Sequence, residues 1–322
     1  MRYAVTGATG FVGGRLVERL RGEGHQVVAL VRSPDKAGHL RDLGVELVPG
    51  DVTDAASVRE SLQGADGLFH VAGWYRVGAR DGSPGWQVNV EGTRTVLEQM
   101  RVAGTARGVY TSTLAVNSDT RGQIVDESHV FNGRHLSVYD ETKAAAHRIA
   151  DEQARDGLPL VTVMPGLVYG PGDTSQTGAI LRQLLAGKRP LVPAAGTVCW
   201  GHIDDIVDGH VRAMDEGKTG ESYMLAGPAH GLAEAMRLAA RLAGVRGPLV
   251  LPAPVTTMSK KVMGLLERFV PVPEDFRSET LRAATATYLG TSAKAAHELG
   301  WSVRPLREGL QQTIDAERAR QP

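Results

Sequence analysis

The sequence predicts an α/β protein with a doubly wound parallel sheet and a smaller region of mixed α/β structure. Two observations predict this fold class. The chain opens with a strand, a glycine-rich loop and a helix, and short apolar runs then alternate with helical segments up to Pro165. That alternation favours parallel strands joined by right-handed crossovers. Beyond Pro165 the alternation stops. We therefore predict a domain at 1–165, which also receives part of 197–230, and a smaller substrate-binding domain at 166–322.

The first strand and its glycine loop predict a dinucleotide site. Arg2 to Thr6 form a short buried strand, and a glycine-rich loop leads from it into the amphipathic run Arg15 to Arg21. Gly7 allows the tight turn, Gly10 lets the backbone approach a pyrophosphate, and Gly13 lets the helix lie against the strand. The phosphates would then lie at the positive N-terminus of the helix.

The end of the second strand indicates which dinucleotide is preferred. His25 to Val31 is apolar and β-branched, as in a strand buried on both faces, and Arg32 follows it. An acidic residue at this place, roughly 20 positions past the glycines, binds the ribose 2′-hydroxyl of NAD, whereas an arginine accommodates the 2′-phosphate of NADP. We predict NADP(H) as the preferred cofactor. NAD(H) is the alternative if Arg32 is an ordinary solvated arginine.

The third strand brings a carboxylate to the same edge of the sheet. Val45 to Val48 form this strand, and Thr53 or Asp54 can cap the helix that runs through Leu62. Asp51 then lies at the carboxyl end of the strand. It is within reach of an adenine amino group.

The fourth strand and the loop after it flank the predicted cleft. Asp66 to Val71 form the strand, and Ala72 and Gly73 supply the small residues needed beside a cofactor. Trp74 to Gly85 has no period, which predicts a loop over the site. The remaining predicted elements are helices at 86–100, 137–156, 178–186, 204–216 and 231–243 and strands at 108–112 and 160–164.

One pair of side chains on a predicted helix could perform acid–base chemistry. Tyr139 and Lys143 are four residues apart, so they emerge on one face of the helix about one turn apart. A nearby ammonium lowers the pKa of a phenol, ordinarily about 10, toward that of a useful proton donor. Thr113 follows the fifth strand at the same rim of the sheet. Its hydroxyl could hydrogen-bond a carbonyl oxygen that gains negative charge.

The composition excludes several classes of partner. Lys plus Arg and Asp plus Glu number 36 each, so charge does not indicate nucleic acid or an anionic membrane as the main partner. Cys199 is the only cysteine, which excludes an internal disulfide and fits a reducing cytoplasm. The histidines show no zinc motif, so we predict no metal. Since no apolar leader or uncharged stretch approaches ~20 residues, we predict a cytoplasmic protein that binds a small-molecule substrate.

Eight motifs occur in a specific order along nearly the whole chain. They are Thr6-Gly7-Ala8-Thr9-Gly10-Phe11-Val12-Gly13, Asp51-Val52, Phe69-His70-Val71-Ala72-Gly73, Asn89-Val90-Glu91-Gly92-Thr93, Thr111-Ser112-Thr113, Tyr139 with Lys143, Pro165-Gly166-Leu167-Val168-Tyr169-Gly170-Pro171, and His202-Ile203-Asp204-Asp205. In this order the chain resembles the extended short-chain dehydrogenase/reductases. That group contains sugar-nucleotide epimerases and dehydratases, dihydroflavonol reductases and 3β-hydroxysteroid dehydrogenases.

This resemblance implies a Rossmann-like fold and a role for each matching residue. Tyr139 would be the general acid/base, Lys143 would bind the nicotinamide ribose and tune Tyr139, and Thr113 would orient the substrate oxygen. Asp51 and Val52 would contact the adenine. The full predicted cofactor set is Gly7, Gly10, Phe11, Val12, Gly13, Arg32, Asp51, Val52, Val71, Ala72, Gly73, Tyr139, Lys143, Pro165, Gly166 and Val168.

The chain also departs from the family's usual pattern. Thr113 replaces a serine but keeps the hydroxyl, and Ser112 is a second catalytic candidate one residue away. His147 stands where many relatives carry a glutamate, and we assign it no function. Thr197 to Gly201 is nearly apolar, whereas sugar-nucleotide enzymes commonly bind the diphosphate through arginines. With Arg32, these differences resemble the dihydroflavonol-reductase-like branch.

We therefore predict an NADPH-dependent oxidoreductase that reversibly reduces a ketone or aldehyde of a small or medium organic substrate to an alcohol. Two alternatives stay open. One is a nucleotide-sugar epimerase or dehydratase with tightly bound NAD, and the other is a non-catalytic dinucleotide-binding protein.

Three further features have structural as well as functional interpretations. We interpret Asp204-Asp205 as a helix cap favoured by the helix dipole. The apolar segment Leu249 to Met258 and a predicted helix at Ser259 to Arg268 could roof an apolar pocket or form ordinary core. The helices at 86–100 and 137–156 could pair in a homodimer or simply cover the sheet.

Overall fold

A seven-stranded parallel sheet forms the centre of the structure, a computed structural model that describes residues 1–252, 254–255, 267 and 277–320. Its strands are β1 (Arg2–Thr6), β2 (Gln26–Val31), β3 (Glu46–Pro49), β4 (Gly67–His70), β5 (Gly108–Thr111), β6 (Leu160–Pro165) and β10 (Ser222–Leu225). They lie in the order β3-β2-β1-β4-β5-β6-β10, and each neighbouring pair is parallel. The order reverses between β1 and β4. Ligands of such sheets bind at this point, outside the carboxyl ends of the strands.

Helices cover both faces of this sheet, as its continuous apolar strands require. The described residues form the helices α1 (Phe11–Gly22), α2 (Gly38–Asp42), α3 (Ala55–Ser61), α4 (Ser83–Gly85), α5 (Gly92–Ala103), α6 (Val138–Arg155), α7 (Gln176–Leu185), α8 (Ile203–Asp215), α9 (Leu232–Ala243), α10 (Ser278–Ala283), α11 (Ala293–Leu299) and α12 (Leu306–Ala319), of which α7, α9 and α12 pack on the smaller sheet described below. One face of the sheet packs against Leu16 of α1 and Ile206 of α8. The other packs against Leu97 of α5 and Ile149 of α6. Within the described ranges, no helix combines the length and apolar character needed to cross a bilayer.

The helix predicted at 86–100 differs from the prediction in its first turns. Trp86–Glu91 forms a π-helix, and the regular α-helix α5 follows it without a break. π-helical turns of this kind often occur at functional sites. This one carries Asn89, whose contacts are described with the site below.

A smaller sheet lies beyond β6. β9 (Thr197–His202) is its central strand and pairs with β7 (Leu167–Tyr169), β11 (Ala229–His230) and β13 (Thr287–Tyr288). A separate parallel pair is formed by β8 (Leu191–Pro193) and β12 (Leu249–Leu251). Trp200, Met236 and Leu310 form the centre of the core between this sheet and its helices.

In the second half of the chain, Cys199 is a core residue, buried beside Met164 and Leu289. The helix predicted at Ser259 to Arg268 lies outside the described residues except for Glu267. The apolar segment that precedes it is described only in part, as β12 and a few residues after it.

The two aspartates at the start of α8 have structural partners, as predicted, but neither is the N-cap. His202 is the N-cap residue, because its Nδ1 accepts a hydrogen bond from the backbone N–H of Asp204 at 3.3 Å. The Asp204 carboxylate accepts from Arg15 Nε at 2.7 Å. The Asp205 carboxylate accepts from Arg304 through its backbone N–H at 3.0 Å and its guanidinium at 2.6 Å. These ion pairs tie α8 to α1 and to the segment before α12.

Arg304→Met should lower the free energy of unfolding by about 3 kcal/mol. Breaking a buried ion pair costs about 3–5 kcal/mol because it leaves an uncompensated charge, and Asp205 is only 9% exposed. Urea unfolding measures the loss. Arg307→Met removes an exposed arginine from the same helix region and should change stability by less than about 0.5 kcal/mol. Equal losses in the two variants would contradict the role assigned to the ion pair.

Candidate active site

The glycine loop after β1 packs so closely on its neighbours that two of its positions require glycine. Gly7 has φ +76°, and a Cβ added there would lie 2.6 Å from the backbone nitrogen of Ala72. A Cβ on Gly13 would lie 2.2 Å from the carbonyl oxygen of Gly7. Gly10 donates its N–H to that same carbonyl at 2.9 Å and is the N-cap of α1. The loop therefore lies directly against the end of β4, with the N-terminus of α1 beside it.

The predicted cofactor residues follow the carboxyl ends of successive parallel strands. Arg32 follows β2 and is exposed, and Val52 follows β3 and is buried. Asp51 accepts hydrogen bonds from the backbone and side chain of Thr53 at 3.0 and 2.8 Å. Further members of the set follow β1, β4 and β6, namely Gly7, Gly10, Phe11, Val12, Gly13, Val71, Ala72, Gly73 and Gly166, with Pro165 ending β6 itself. Val168 lies in β7 of the smaller sheet, and Tyr139 and Lys143 lie on α6. One edge of the parallel sheet therefore carries the positions that follow its strands.

Lys143 is buried on α6, where it contacts the end of β5. It is 5% exposed, and its Nζ donates to the carbonyl oxygen of Thr111 at 2.7 Å and to the hydroxyl of Tyr110 at 3.3 Å. Burial disfavours the charged form of an amine, and it lowers the pKa of Lys143 from 10.5 to about 7.

Tyr139 lies one turn before Lys143, and the Thr113 hydroxyl lies close enough to the Tyr139 phenol to influence its pKa. Its ring also meets the ring of Tyr75 edge-on, with centroids 4.8 Å apart. Burial raises the pKa of Tyr139, the nearby Tyr75 adds to the increase, and the Thr113 hydroxyl opposes it. The sequence predicted the reverse direction, from the ammonium of Lys143. In the protein alone desolvation is the larger effect, so Tyr139 is a neutral phenol that holds its proton.

The two hydroxyl candidates after β5 have different partners. Thr113 contacts Tyr139, whereas Ser112 is buried and its Oγ lies 2.8 Å from Nδ1 of His147. Nε2 of His147 lies 3.5 Å from the carboxylate of Asp151. His147, to which the sequence assigned no function, therefore holds Ser112 about two turns along α6 from Tyr139.

Sequence reasoning missed Asn89, which joins the loop after β4 to α6. Its Oδ1 accepts from the backbone N–H of Trp74 at 2.7 Å, and its Nδ2 donates to the carbonyl of Trp74 at 3.1 Å and to Oγ1 of Thr142 at 2.9 Å. The Thr142 hydroxyl in turn donates to the carbonyl of Tyr139 at 3.1 Å. Asn89 belongs to one of the quoted motifs. The motif could have marked Asn89 as a candidate site residue, although it does not reveal these contacts.

A second set of missed contacts comes from the far end of the chain. Glu279 on α10 accepts from the backbone N–H of Val138 at 3.1 Å and of Gly78 at 3.3 Å. The guanidinium of Arg277 donates to the carbonyl of Ala79 at 2.6 Å. These contacts fasten the loop over the site to the first turn of α6. Their sequence separations, up to 201 residues, leave no local pattern to find.

Asp140, beside Tyr139, connects α6 to the smaller sheet. Its carboxylate accepts from the hydroxyl of Tyr288 at 3.0 Å, and Asp140 is 2% exposed. Burial raises the pKa of Asp140 from 3.8 to about 6, an increase that hydrogen bonds from Ser137 and Tyr288 partly offset.

Comparison with known proteins identifies the class of protein. Residues 3–226 match the model of the NAD dependent epimerase/dehydratase family. The chain belongs to this family, and it is an NAD(P)-dependent oxidoreductase of the extended short-chain dehydrogenase/reductase type. This confirms the resemblance derived from the motifs. Members of the family bind NAD(P) cofactors.

Individual relatives extend over most of the chain. A Synechocystis sp. protein named "Putative dihydroflavonol 4-reductase" is 32% identical, over 97% of this chain and 93% of its own length. The 4-hydroxy-2-methyl-3-oxo-4-farnesyl-3,4-dihydroquinoline-1-oxide ketoreductase of Stigmatella aurantiaca is 32% identical over 70% of this chain and 68% of its own length.

Solved structures share the fold. The crystal structure of gox2253 has a TM-score of 0.87 at 30% identity and covers 99% of this chain and 98% of its own. The UDP-glucose 4-epimerase of Thermotoga maritima, solved with UDP-glucose, has a TM-score of 0.81 at 19% identity and covers 99% of both chains. These likenesses confirm the predicted Rossmann-like, doubly wound parallel sheet.

Asp140→Asn should remove a pH-dependent part of the stability. Because folding raises the pKa of Asp140, the stability it contributes is present below 3.8 and is lost as the pH rises through about 6. Relative to the wild type, the variant should therefore gain about 2–3 kcal/mol of unfolding free energy between pH 4 and pH 7. Urea unfolding at both pH values measures this gain.

Asp156→Asn, just past the end of the same helix and exposed, is the matched control. It should change stability equally at pH 4 and pH 7. If Asp140→Asn behaves as this control does, the buried carboxyl is not responsible for the pH dependence.

Proposed function

We propose that this protein is an NADP(H)-dependent oxidoreductase that reversibly reduces a ketone or aldehyde carbonyl of a small or medium organic substrate to an alcohol. The observation that carries the proposal is the grouping on α6 and β5. A neutral Tyr139 contacts the Thr113 hydroxyl, and the buried Lys143 lies one turn further along the helix. This group lies at the edge of the sheet that also carries the glycine loop.

Each of the three residues has a role that its surroundings support. When bound, NADPH supplies the hydride that reduces the carbonyl carbon. Tyr139 donates its phenolic proton to the carbonyl oxygen, and the Thr113 hydroxyl hydrogen-bonds the same oxygen as it gains negative charge. The Lys143 ammonium binds the nicotinamide ribose and stabilises the phenolate that Tyr139 becomes. In the oxidative direction the same groups act in reverse.

The glycine loop fits the pyrophosphate of a dinucleotide. Side chains at Gly7 and Gly13 would collide with the backbone of Ala72 and of Gly7, so glycine at both positions lets the loop turn tightly beside the N-terminus of α1. The backbone N–H groups at such a terminus can bind phosphate. We propose that Gly10, Phe11 and Val12 complete this cradle. We further propose that Asp51 and Val52 contact the adenine, and that Pro165, Gly166 and Val168 lie near the nicotinamide with Val71, Ala72 and Gly73.

We propose NADP(H) over NAD(H) because of Arg32. It is exposed at the carboxyl end of β2, where a cofactor's adenosine ribose lies in folds of this type. A guanidinium there complements a 2′-phosphate, whereas an NAD site usually carries a carboxylate.

The smaller domain, 166–322, is proposed to bind the substrate. An enzyme that binds the diphosphate of a sugar nucleotide would be expected to carry cationic residues in this region. Strand β9 carries mainly apolar residues there instead, among them Trp200 and Cys199. The two relatives named as reductases support carbonyl reduction as the activity.

The second candidate is a nucleotide-sugar epimerase or dehydratase that regenerates a tightly bound NAD in each cycle. The description of the family and the likeness in fold to a UDP-glucose 4-epimerase support this second candidate. NAD that copurifies with the protein, with no net consumption of NADPH, would establish it. A non-catalytic dinucleotide-binding protein is less well supported because Tyr139 and Lys143 are both present.

Tyr139→Phe should reduce kcat for carbonyl reduction by at least about 100-fold, since general acid catalysis contributes about 10²–10⁴. NADPH binding, followed by fluorescence titration, should stay within about threefold of the wild type, because the ring and its packing remain. Tyr75→Phe removes the neighbouring hydroxyl and is the matched control, with nearly full activity expected. Undiminished turnover by Tyr139→Phe would remove this residue from the mechanism.

Arg32→Asp should shift the preference from NADPH toward NADH. The substitution removes the partner of the 2′-phosphate and places an acceptor near the ribose 2′-hydroxyl. The ratio of kcat/KM for NADPH to that for NADH should fall by at least about tenfold, as expected for the loss of a charge-assisted hydrogen bond. Arg246→Asp makes the same charge change at an exposed site between α9 and β12 and should leave the ratio unaltered. A ratio unchanged in Arg32→Asp would refute the 2′-phosphate assignment.

A further inference from the structure

A continuous line of buried side chains runs from Lys143 back to the glycine loop. The Lys143 ammonium donates to the Tyr110 hydroxyl at 3.3 Å. The Tyr110 ring lies against the ring of His70, with centroids 5.6 Å apart, and the Thr93 side chain on α5 lies close enough to the Tyr110 hydroxyl to favour its charged form. Oγ1 of Thr93 lies 3.1 Å from Nε2 of His70, and Nδ1 of His70 lies 2.7 Å from Oγ1 of Thr6. Each of these five side chains is 5% exposed or less. The line crosses from α6 through β5, α5 and β4 to β1.

The far end of the line determines the direction of its hydrogen bonds. The backbone N–H of Ala72 donates to Oγ1 of Thr6 at 3.2 Å. Among the contacts of Oγ1 of Thr6 in the described part of the chain, Nδ1 of His70 is the one that can accept its hydrogen. We therefore assign Thr6 as the donor to Nδ1, so that Nε2 of His70 carries the ring hydrogen and donates it to Thr93. The imidazole is neutral, since burial lowers the pKa of His70 to about 3, an effect to which the charge of Lys143 adds. With this tautomer, each hydrogen bond along the line has one donor and one acceptor that do not exchange roles.

This line does not provide a path for protons to solvent. It ends at a backbone N–H, which does not release its proton, and its side chains are buried throughout. What it does provide is a fixed acceptor for Lys143. An ammonium has three N–H bonds, and two of them are taken by the Thr111 carbonyl and the Tyr110 hydroxyl. Holding both acceptors in place fixes the direction of the third.

We propose that Thr93 and His70 are positioning residues for Lys143. They hold the Tyr110 hydroxyl as an acceptor, so that the remaining N–H of Lys143 points toward the cofactor edge of the sheet. Because the line starts at Thr6 and Ala72, on either side of the Gly7 contact, it connects the loop proposed to hold the pyrophosphate to the amine proposed to hold the ribose. The inference rests on the proposed function for its catalytic consequence. Its structural content, support of the ammonium, can be measured without turnover.

Several titratable groups surround Lys143 and enter any pH measurement. Tyr110 faces it from β5 and His70 from β4, while Tyr139 and His147 lie on its own helix, with Asp151 behind His147. The variants described next change only Tyr110 and Thr93. His147 and Asp151 remain as in the wild type.

The test measures the protonation of Lys143 directly, by the pH dependence of its ¹³Cε resonance in the cofactor-free full chain. The resonance is assigned by its loss in Lys143→Met. Tyr110→Phe should lower the titration midpoint by about one pH unit, because an ammonium loses one charge-assisted hydrogen bond. Thr93→Val should lower it in the same direction, and Thr93→Ser, which keeps the hydroxyl, should restore the wild-type midpoint. The basic limb of the pH profile of kcat/KM should move in parallel.

The matched pair at Thr93 separates positioning from stability. If Thr93→Val lowers Tm but leaves the Lys143 midpoint at the wild-type value, the residue is structural only and the inference is overturned. The same conclusion follows if Thr93→Ser shifts the midpoint as far as Thr93→Val. A shifted midpoint in a protein that reduces no carbonyl would support the inference and contradict the proposed function. Normal carbonyl reduction by the wild type, with a Lys143 midpoint that Thr93→Val leaves unshifted, would support the proposed function and contradict the inference.

Discussion

The rest of the site depends on the hydrogen bonds that hold the buried ammonium of Lys143. Removing a charge from water is costly unless the charge finds partners, and here they are one carbonyl and one phenol at the end of β5. This anchoring sets the distance between α6 and the sheet. Tyr139, one turn earlier on α6, is thereby held next to Thr113 at the cofactor edge. Burial also lowers the pKa of this amine to about 7, so its charge changes with small changes in its hydrogen-bond partners.

Neighbouring elements reinforce this placement from both sides. Asn89 holds the loop after β4 to α6, and Glu279 binds the same loop and the first turn of α6 together. The link between Asp140 and Tyr288 attaches the helix to the smaller sheet. A helix held at three places presents its side chains in one geometry, as electrostatic catalysis requires. The proposed reductase activity depends on that rigidity as much as on the identity of Tyr139.

Local patterns in the sequence predicted the sheet, the glycine loop and the spacing of Tyr139 and Lys143. Each of these follows from short-range rules, namely alternating strand and helix periods, the conformation that Gly7 requires, and the four-residue repeat of a helix. The sequence did not predict the direction of the pKa shift of Tyr139. That shift depends first on burial in the folded chain and then on the nearby Tyr75, which is distant in the sequence.

Contacts between distant residues account for what sequence reasoning missed. Ser112 and Thr113 are adjacent and chemically alike, and only their three-dimensional partners, His147 and Tyr139, tell them apart. The roles of Arg277 and Glu279 likewise depend on loops that meet only in the folded chain. The six-residue π-helix that carries Asn89 has no periodic signature in so short a segment.

A crystal structure with NADP⁺ bound tests the central claim most directly. The account predicts that the third N–H of Lys143 and the hydroxyl of Tyr139 both lie within about 3.2 Å of hydroxyls of the nicotinamide ribose, with the pyrophosphate on the loop from Gly7 to Gly13. A nicotinamide ribose located away from α6, with Lys143 still bound only to Thr111 and Tyr110, would contradict it.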